Sequence, residues 1–554
     1  LILYSSYFNI LDCCSELGDA MHIIFSKIDK KYKVEYWLLL GMNIISTGIL
    51  TFNVYLEGML LNSLVYKADR DSFIRSIILI ITLSLIRLLL SYFMNKIQIL
   101  EFRKINIEVN DAIIKELYSK DTLKVTKMNS VRMADRITED TTEVLTFFFQ
   151  TVNQIISIVL SSVLIFTYLF TAGSSFLLLI VILLPAYSVI YLFLRPKIFK
   201  VSLKLKEAYN EYFSGFTEWL SRYIEIKGNQ REKIENERWS STKRTLLGVA
   251  KRDFLLNLNM SNSEIILQLI FQLVLFINGG LSVISGRMTI GSFSIIFQYF
   301  DQLLGEVDEA FSILFNFESF RVARLRINNL LSMKDEQDGE KAVSKINSIQ
   351  VQDFNIYLDG KTPLFTRKIS ATFVAPGFYV VRGRNGIGKS TFLRTIIGLY
   401  TPKKEGKITI NGVNADLINK RKLRESNISC LFQDTPLPNC SVRDYLGSYP
   451  NKSQIDKNEY FAKVFNSSQF KIEKVLDREM SELSTGKIQL VKLYSAILKT
   501  NAQCFLLDEP LANIYPELQN DLLKLLQEIA QTNLVIIISH DLQVNENAKN
   551  MRIE

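Results

Sequence analysis

Six apolar segments precede residue 315, and they constrain this chain more than any other feature of it. A helix that crosses a bilayer needs about 20 mostly apolar residues, because its backbone groups can be satisfied only inside the segment. The first segment runs roughly from Trp37 to Leu61 and the second from Ser72 to Met94. The third runs roughly from Leu145 to Phe170. A short uncharged turn, Thr171 to Ser175, leads into the fourth, which ends near Leu194. The fifth covers roughly Ile265 to Ser285 and the sixth Ile290 to Phe315. The pattern predicts a multi-domain membrane protein whose first part is an all-α six-helix transmembrane domain.

The connections alternate. Those at 63–71, 171–175 and 286–289 are short and carry few charges, whereas those at 95–142 and 195–255 are long and basic. Lys27, Lys30, Lys31 and Lys33 precede the first helix. Positive residues favour the cytoplasmic side. The N-terminus and both long loops are therefore expected in the cytoplasm, with the three short turns outside. The long loops carry apolar residues at three- and four-residue spacing, so the membrane helices are expected to continue beyond the bilayer. The net charge of +9 suits the anionic face of a cell (plasma or inner) membrane, and no nucleic-acid partner is expected.

The 554 residues exceed one ordinary domain of about 150, and 48% are hydrophobic although 65 basic and 56 acidic residues are present. One part in lipid and one in water explains that mixture. The five cysteines, Cys13, Cys14, Cys430, Cys440 and Cys504, show no metal-ligand or disulfide spacing. Adjacent Cys13 and Cys14, followed by His22, are taken as ordinary thiols. No signal-peptide pattern opens the chain, which begins at Leu1 rather than Met.

From about residue 348 the pattern changes to short strands alternating with helices, as in an α/β P-loop nucleotide-binding domain. The strand Phe378–Arg382 runs into Gly383-Arg-Asn-Gly-Ile-Gly-Lys-Ser390 and then a helix. Gly383, Gly386 and Gly388 let backbone N–H groups wrap phosphates, and the helix start adds favourable partial charge. Lys389 is placed to neutralise the β- and γ-phosphates and Ser390 to ligate Mg²⁺. Downstream, the apolar run Cys504–Leu507 ends in Asp508-Glu509. Such a pair is ordinarily solvated surface, but after a P-loop Asp508 suits a Mg²⁺-associated carboxylate and Glu509 the group that orients or deprotonates water. A third strand, Leu534–Ser539, leads to His540, one of two histidines. Ligand-binding groups gather at strand ends of parallel sheets, so His540 is read as a polar switch touching the γ-phosphate.

These residues, in this order, resemble the ATP-binding cassette family. Phe432-Gln433-Asp434 resembles its Q-loop, which senses Mg²⁺ and contacts the membrane domain and which implies a catalytic and metal-binding role for Gln433. Leu483-Ser-Thr-Gly-Lys487 resembles its signature, in which Ser484 and Gly486 meet ATP held by a partner. Tyr357 stands where the family sets an aromatic ring against adenine, and Asn385 and Thr391 complete the P-loop contacts. Met133–Asp140, Phe216–Lys227, Gly286–Gly291 and Arg324–Asn328 resemble the cytoplasmic loops and the sixth helix of exporters with six-helix halves. The division expected is an N-terminal cytoplasmic segment at 1–35, a transmembrane domain at 36–332, a linker at 333–347 and a cassette at 348–554. The resemblance implies an ATPase with ATP and Mg²⁺, working as a dimer of half-transporters in contact with membrane lipid. Its cargo would be a peptide, an amphipathic drug or a lipid-like molecule; import on the same scaffold, or an ATP-gated regulator or channel, is the alternative.

Three departures stand out. Thr485 and Lys487 replace Gly and Gln of the usual signature, and Tyr515 falls where the family has an Asp. All three face the partner side, so a heterodimer with one weaker site and a homodimer with a tolerated variant both remain open. The chain ends soon after His540, which leads to the expectation that the cassette's last strands are missing. No leader-cleaving peptidase is expected within residues 1–35. Asp301, Glu306, Asp308 and Glu309 in the sixth segment, with Glu57 and Glu264, either line a cavity for cationic or zwitterionic cargo or are solvated at the cytoplasmic end.

Overall fold

The computed structural model describes residues 30–67, 70–126, 128, 130–172, 174–357, 361–433, 435–447, 459–467, 469–499, 501–539 and 549–553. The chain divides into two compact units, Leu1–Ala112 with Asp135–Asn328, and Ile113–Ala134 with Asn329–Glu554.

Long helices make up the first unit. They are Lys30–Asn62, Arg70–Leu117, Ser130–Ala172 with an internal π turn at Phe147–Thr151, Ser174–Ser221, Glu232–Ile284 and Ile290–Leu331. Each apolar segment of the sequence lies inside one of them. Four are long and apolar enough among the described residues to cross a membrane: Val34–Tyr66, Arg70–Leu117, Met133–Thr171 and Glu232–Ile284. The second helix has 48 residues and the fifth has 53. At 1.5 Å per residue these exceed a hydrocarbon core of about 30 Å more than twofold, so the long loops are largely continuations of the helices.

Without a strong hydrophobic drive between helices in lipid, close backbone approach and interhelical hydrogen bonds hold them. Gly58 and Gly291 provide the approach: a Cβ on Gly291 would lie 2.0 Å from the Gly58 carbonyl oxygen, and one on Gly58 would lie 2.2 Å from Ile295. Asn62 accepts from the Gly291 N–H at 2.9 Å at the same crossing. Asn43 donates to the Asn153 carbonyl and to Ser157, each at 2.9 Å, joining the first and third helices. The π turn sends Phe147, Phe148 and Phe149 into one core with Tyr36 and Phe320, where the Phe147 and Phe320 rings stack at 4.4 Å.

Two sheets build the second unit. The strands are β1 Ser348–Tyr357, β2 Ile369–Val374, β3 Gly377–Arg382, β4 Lys403–Ile410, β5 Val413–Asn414, β6 Ile428–Leu431, β7 Cys504–Asp508, β8 Leu534–Ile538 and β9 Lys549–Arg552. An antiparallel sheet has the order β2-β1-β4-β5, and a second sheet the order β6-β7-β8-β3-β9. All pairs of the second sheet are parallel. Central β7 and β8 are buried along their whole length, as strands covered on both faces must be. Lys549–Arg552, which follows His540 in the chain, forms β9 and pairs in parallel with β3.

Candidate active site

The parallel sheet delivers β3, β6 and β7 to one end, and the candidate residues follow those strands. After β3, Gly386 and Gly388 take φ values of +78° and +98°, a region that L side chains enter only with strain. Gly388 also packs tightly, since a Cβ there would lie 2.6 Å from Leu364. Lys389 opens the helix Lys389–Ile396 and is 6% exposed. Its ammonium donates to the carbonyls of Gly383 at 2.9 Å and Arg384 at 3.0 Å. The loop thus curls around a buried cation. Burial holds Lys389 below its ordinary pKa of 10.5, and the carboxylates of Glu509 and Asp508 act in the opposite direction. An anion placed in this loop relieves that burial penalty, so the donor set fits a polyphosphate. Ser390 and Thr391 follow on the half-buried first turn, and Asn385 is exposed on the loop.

Asp508 ends β7 and is 2% exposed. Glu509, next in the chain, takes a left-handed φ of 49°. Its N–H donates to the Ile538 carbonyl at 3.0 Å, which ties the turn to β8. Gln433, just after β6, donates from its amide to Glu509 Oε2 at 3.0 Å. Three separate stretches of sequence, around Lys389, Gln433 and Asp508-Glu509, therefore converge. The buried Asp508 carboxylate is an oxygen ligand that suits a hard divalent cation, and the Lys389 ammonium suits the phosphate such a cation accompanies.

Other expected residues lie elsewhere. Tyr357 ends β1 in the antiparallel sheet, where its hydroxyl donates to Glu405 at 2.9 Å. That bond to a carboxylate raises the tyrosine's pKa. Ser484 is the exposed N-cap of the helix Thr485–Ile497, with no side-chain cap bond. Gly486 is buried against the loop after Glu509, since a Cβ there would lie 2.4 Å from the Asn513 carbonyl oxygen. Tyr515 caps the helix Pro516–Ile529 without a side-chain bond. His540 lies outside the described residues, as do Cys13, Cys14 and His22.

One group of contacts was not singled out by sequence. The tip of the first long loop, which belongs to the second unit, is fastened there: Thr401 donates to Asp121 at 3.0 Å and Lys120 pairs with Asp335 at 2.7 Å. Glu336, adjacent in the expected linker, pairs with Arg424 at 2.6 Å. The short helix Thr122–Thr126 sits at this tip. The only sequence signal was charge on a polar stretch, which does not name partners.

The family described as ABC transporter transmembrane region matches residues 36–307, and the family described as ABC transporter matches residues 366–512. The ATP-binding protein EcfA1 of an energy-coupling factor transporter from Mycoplasma mobile is 30% identical over 199 residues, 35% of this chain and 72% of that protein. This chain belongs to the ABC transporter family. The likeness extends over both units: the nisin transport ATP-binding protein NisT of Lactococcus lactis subsp. lactis is 24% identical over 96% of this chain and 90% of its own length. A bacterial Atm1-family ABC exporter with ATP bound shares the fold at a TM-score of 0.76 and 16% identity, covering 92% of each chain. As an ABC transporter with both regions in one chain, it is a multi-pass membrane protein and an ATPase that binds ATP.

Proposed function

We propose that this ABC transporter is one half of a dimer that exports a peptide, an amphipathic drug or a lipid-like molecule at the expense of ATP. The observation that carries the reading is the convergence of Lys389, Gln433, Asp508 and Glu509 in a chain whose other unit is built of six long helices. Full-length likeness to a nisin transport protein and to an exporter fold supports outward movement over import.

Gly383, Asn385, Gly386, Gly388, Lys389, Ser390 and Thr391 hold the phosphates, with Tyr357 against adenine. Ser390, Asp508 and Gln433 would hold Mg²⁺, which when bound neutralises charge on the transferred phosphoryl group. Glu509 takes the proton of the attacking water, and Gln433 fixes its carboxylate. His540 contacts the γ-phosphate. Ser484 and Gly486 of a second subunit, identical or different, close each site. ATP then favours the closed dimer only by its greater affinity for that state.

The division at 36–332, 333–347 and 348–554 follows this scheme, with the cassette and residues 1–35 in the cytoplasm. In the sixth helix, Glu306 accepts from Ser162 at 2.8 Å and Asp301 from Gln268 at 3.1 Å. Both carboxylates engage neighbouring helices, Asp301 exposed and Glu306 half-buried, and the half-buried Glu306 supports a polar lining and a cationic or zwitterionic cargo.

Sided proteoliposomes test the direction. With cassettes facing outward and external ATP, a panel of peptides, lipids and cationic drugs should yield cargo that accumulates in the lumen, and Glu509→Gln should stop it. Lumenal depletion under the same conditions would replace export by import.

A further inference from the structure

We propose that Gln489 is a positioning residue for hydrolysis: its side-chain amide holds the main chain of Glu509 in the turn that aims the carboxylate. The inference rests on the reading of Glu509 as the base.

The Gln489 Nε2 donates to the Glu509 carbonyl oxygen at 3.0 Å. The Ala512 N–H donates to that same carbonyl at 3.2 Å. Glu509 is a non-glycine residue at φ 49°, a conformation that persists only where surroundings over-determine it. Here the surroundings are identifiable. The Ile538 carbonyl takes the Glu509 N–H, Gln489 supports the carbonyl, and Gln433 takes the carboxylate.

Gln489 comes from the helix Thr485–Ile497, which also begins at Ser484 and carries Gly486. That helix meets the stretch Glu509–Asn513 twice. Gly486 lies against the Asn513 carbonyl, and Asn513 is itself left-handed at φ 61°. Leu490, Val491 and Leu493 are fully buried, so the helix sits in the core as a rigid body. Its start, aimed at a partner's nucleotide, and its grip on this chain's own Glu509 therefore move together. This gives each half a direct strut from signature to base.

The test uses the full-length dimer with steady-state ATPase, nucleotide binding and thermal unfolding. Gln489→Leu removes the donor at similar size and should lower kcat about tenfold while KM for ATP stays within about twofold. Gln489→Lys keeps a donor and should recover most of the rate. In a Glu509→Gln background, Gln489→Leu should subtract nothing further. Parental turnover in Gln489→Leu overturns the proposal. So does a parallel fall of nucleotide binding and melting temperature, or a Gln489→Lys no faster than the Leu variant. If Glu509→Gln alone keeps parental turnover, the reading of Glu509 fails first, whatever Gln489 does.

Discussion

The side-chain amide of Gln433 lies 3.0 Å from the Glu509 carboxylate, so the residue that follows β6 restrains the residue that follows β7. A restrained base can abstract a proton without first being oriented. Gln433→Ala is expected to lower kcat about tenfold, as loss of positioning does, and to leave equilibrium ATP binding by the P-loop in place. Paired ATPase and nucleotide-binding assays check this; unchanged turnover would show that the bond has no part in hydrolysis.

Burial makes the charged form of Lys389 costly in the folded protein. Its folded pKa is depressed by burial. The charged form is therefore a penalty below the folded pKa, relieved as pH rises toward the ordinary value of 10.5. The nucleotide-free protein should gain stability from this group over that alkaline window. Lys389→Met removes the penalty, so its melting temperature without nucleotide should match or exceed the parent below that window. The same variant should lose the thermal shift that ATP produces, since the phosphate counter-charge is gone. A parental ATP shift in Lys389→Met would contradict the assignment.

Gly486 is buried against a main-chain oxygen, not a flexible side chain. A methyl group there must displace the Asn513 backbone, at about 1–3 kcal/mol. Gly486→Ala is expected to lower thermal stability and abolish most ATPase activity while the isolated P-loop side still binds ATP. A silent Gly486→Ala would mean that the two loops are not in contact.

In the membrane unit, Gly58 and Gly291 set the approach of the first and sixth helices. Gly58→Val forces branched volume into a space with an Ile295 atom 2.2 Å from the site of Cβ. Overpacking of this kind destabilises by about 1–3 kcal/mol. The expected outcome is a lower melting temperature in detergent and weaker cargo-stimulated ATPase. Gly41, whose Cβ would meet nothing within 4 Å, provides the comparison, and Gly41→Val should be far milder.

The sequence made legible whatever depends on local pattern. Six long helices follow from apolar length, and four of them are apolar enough among the described residues to cross a membrane. The P-loop and Asp508-Glu509 followed from strand, glycine and carboxylate order. What stayed hidden depends on contacts between distant stretches. The π turn at Phe147–Thr151 looks like ordinary helix in sequence, and its role appears only where Phe147 stacks on Phe320. Strand β9, with Lys549, Asn550 and Arg552, lacks the apolar alternation of a half-buried strand and is fixed by its pairing with β3. Gln489 is an unexceptional helix residue until the Glu509 carbonyl is placed beside it.

The proposed role of Glu509 as the base for ATP hydrolysis stands or falls on single-turnover phosphate release from the reconstituted dimer carrying Glu509→Gln. Loss of general-base catalysis predicts a fall of at least about 100-fold, with ATP retained on the protein at parental stoichiometry. Phosphate release at the parental rate, with ATP bound equally well, would contradict it.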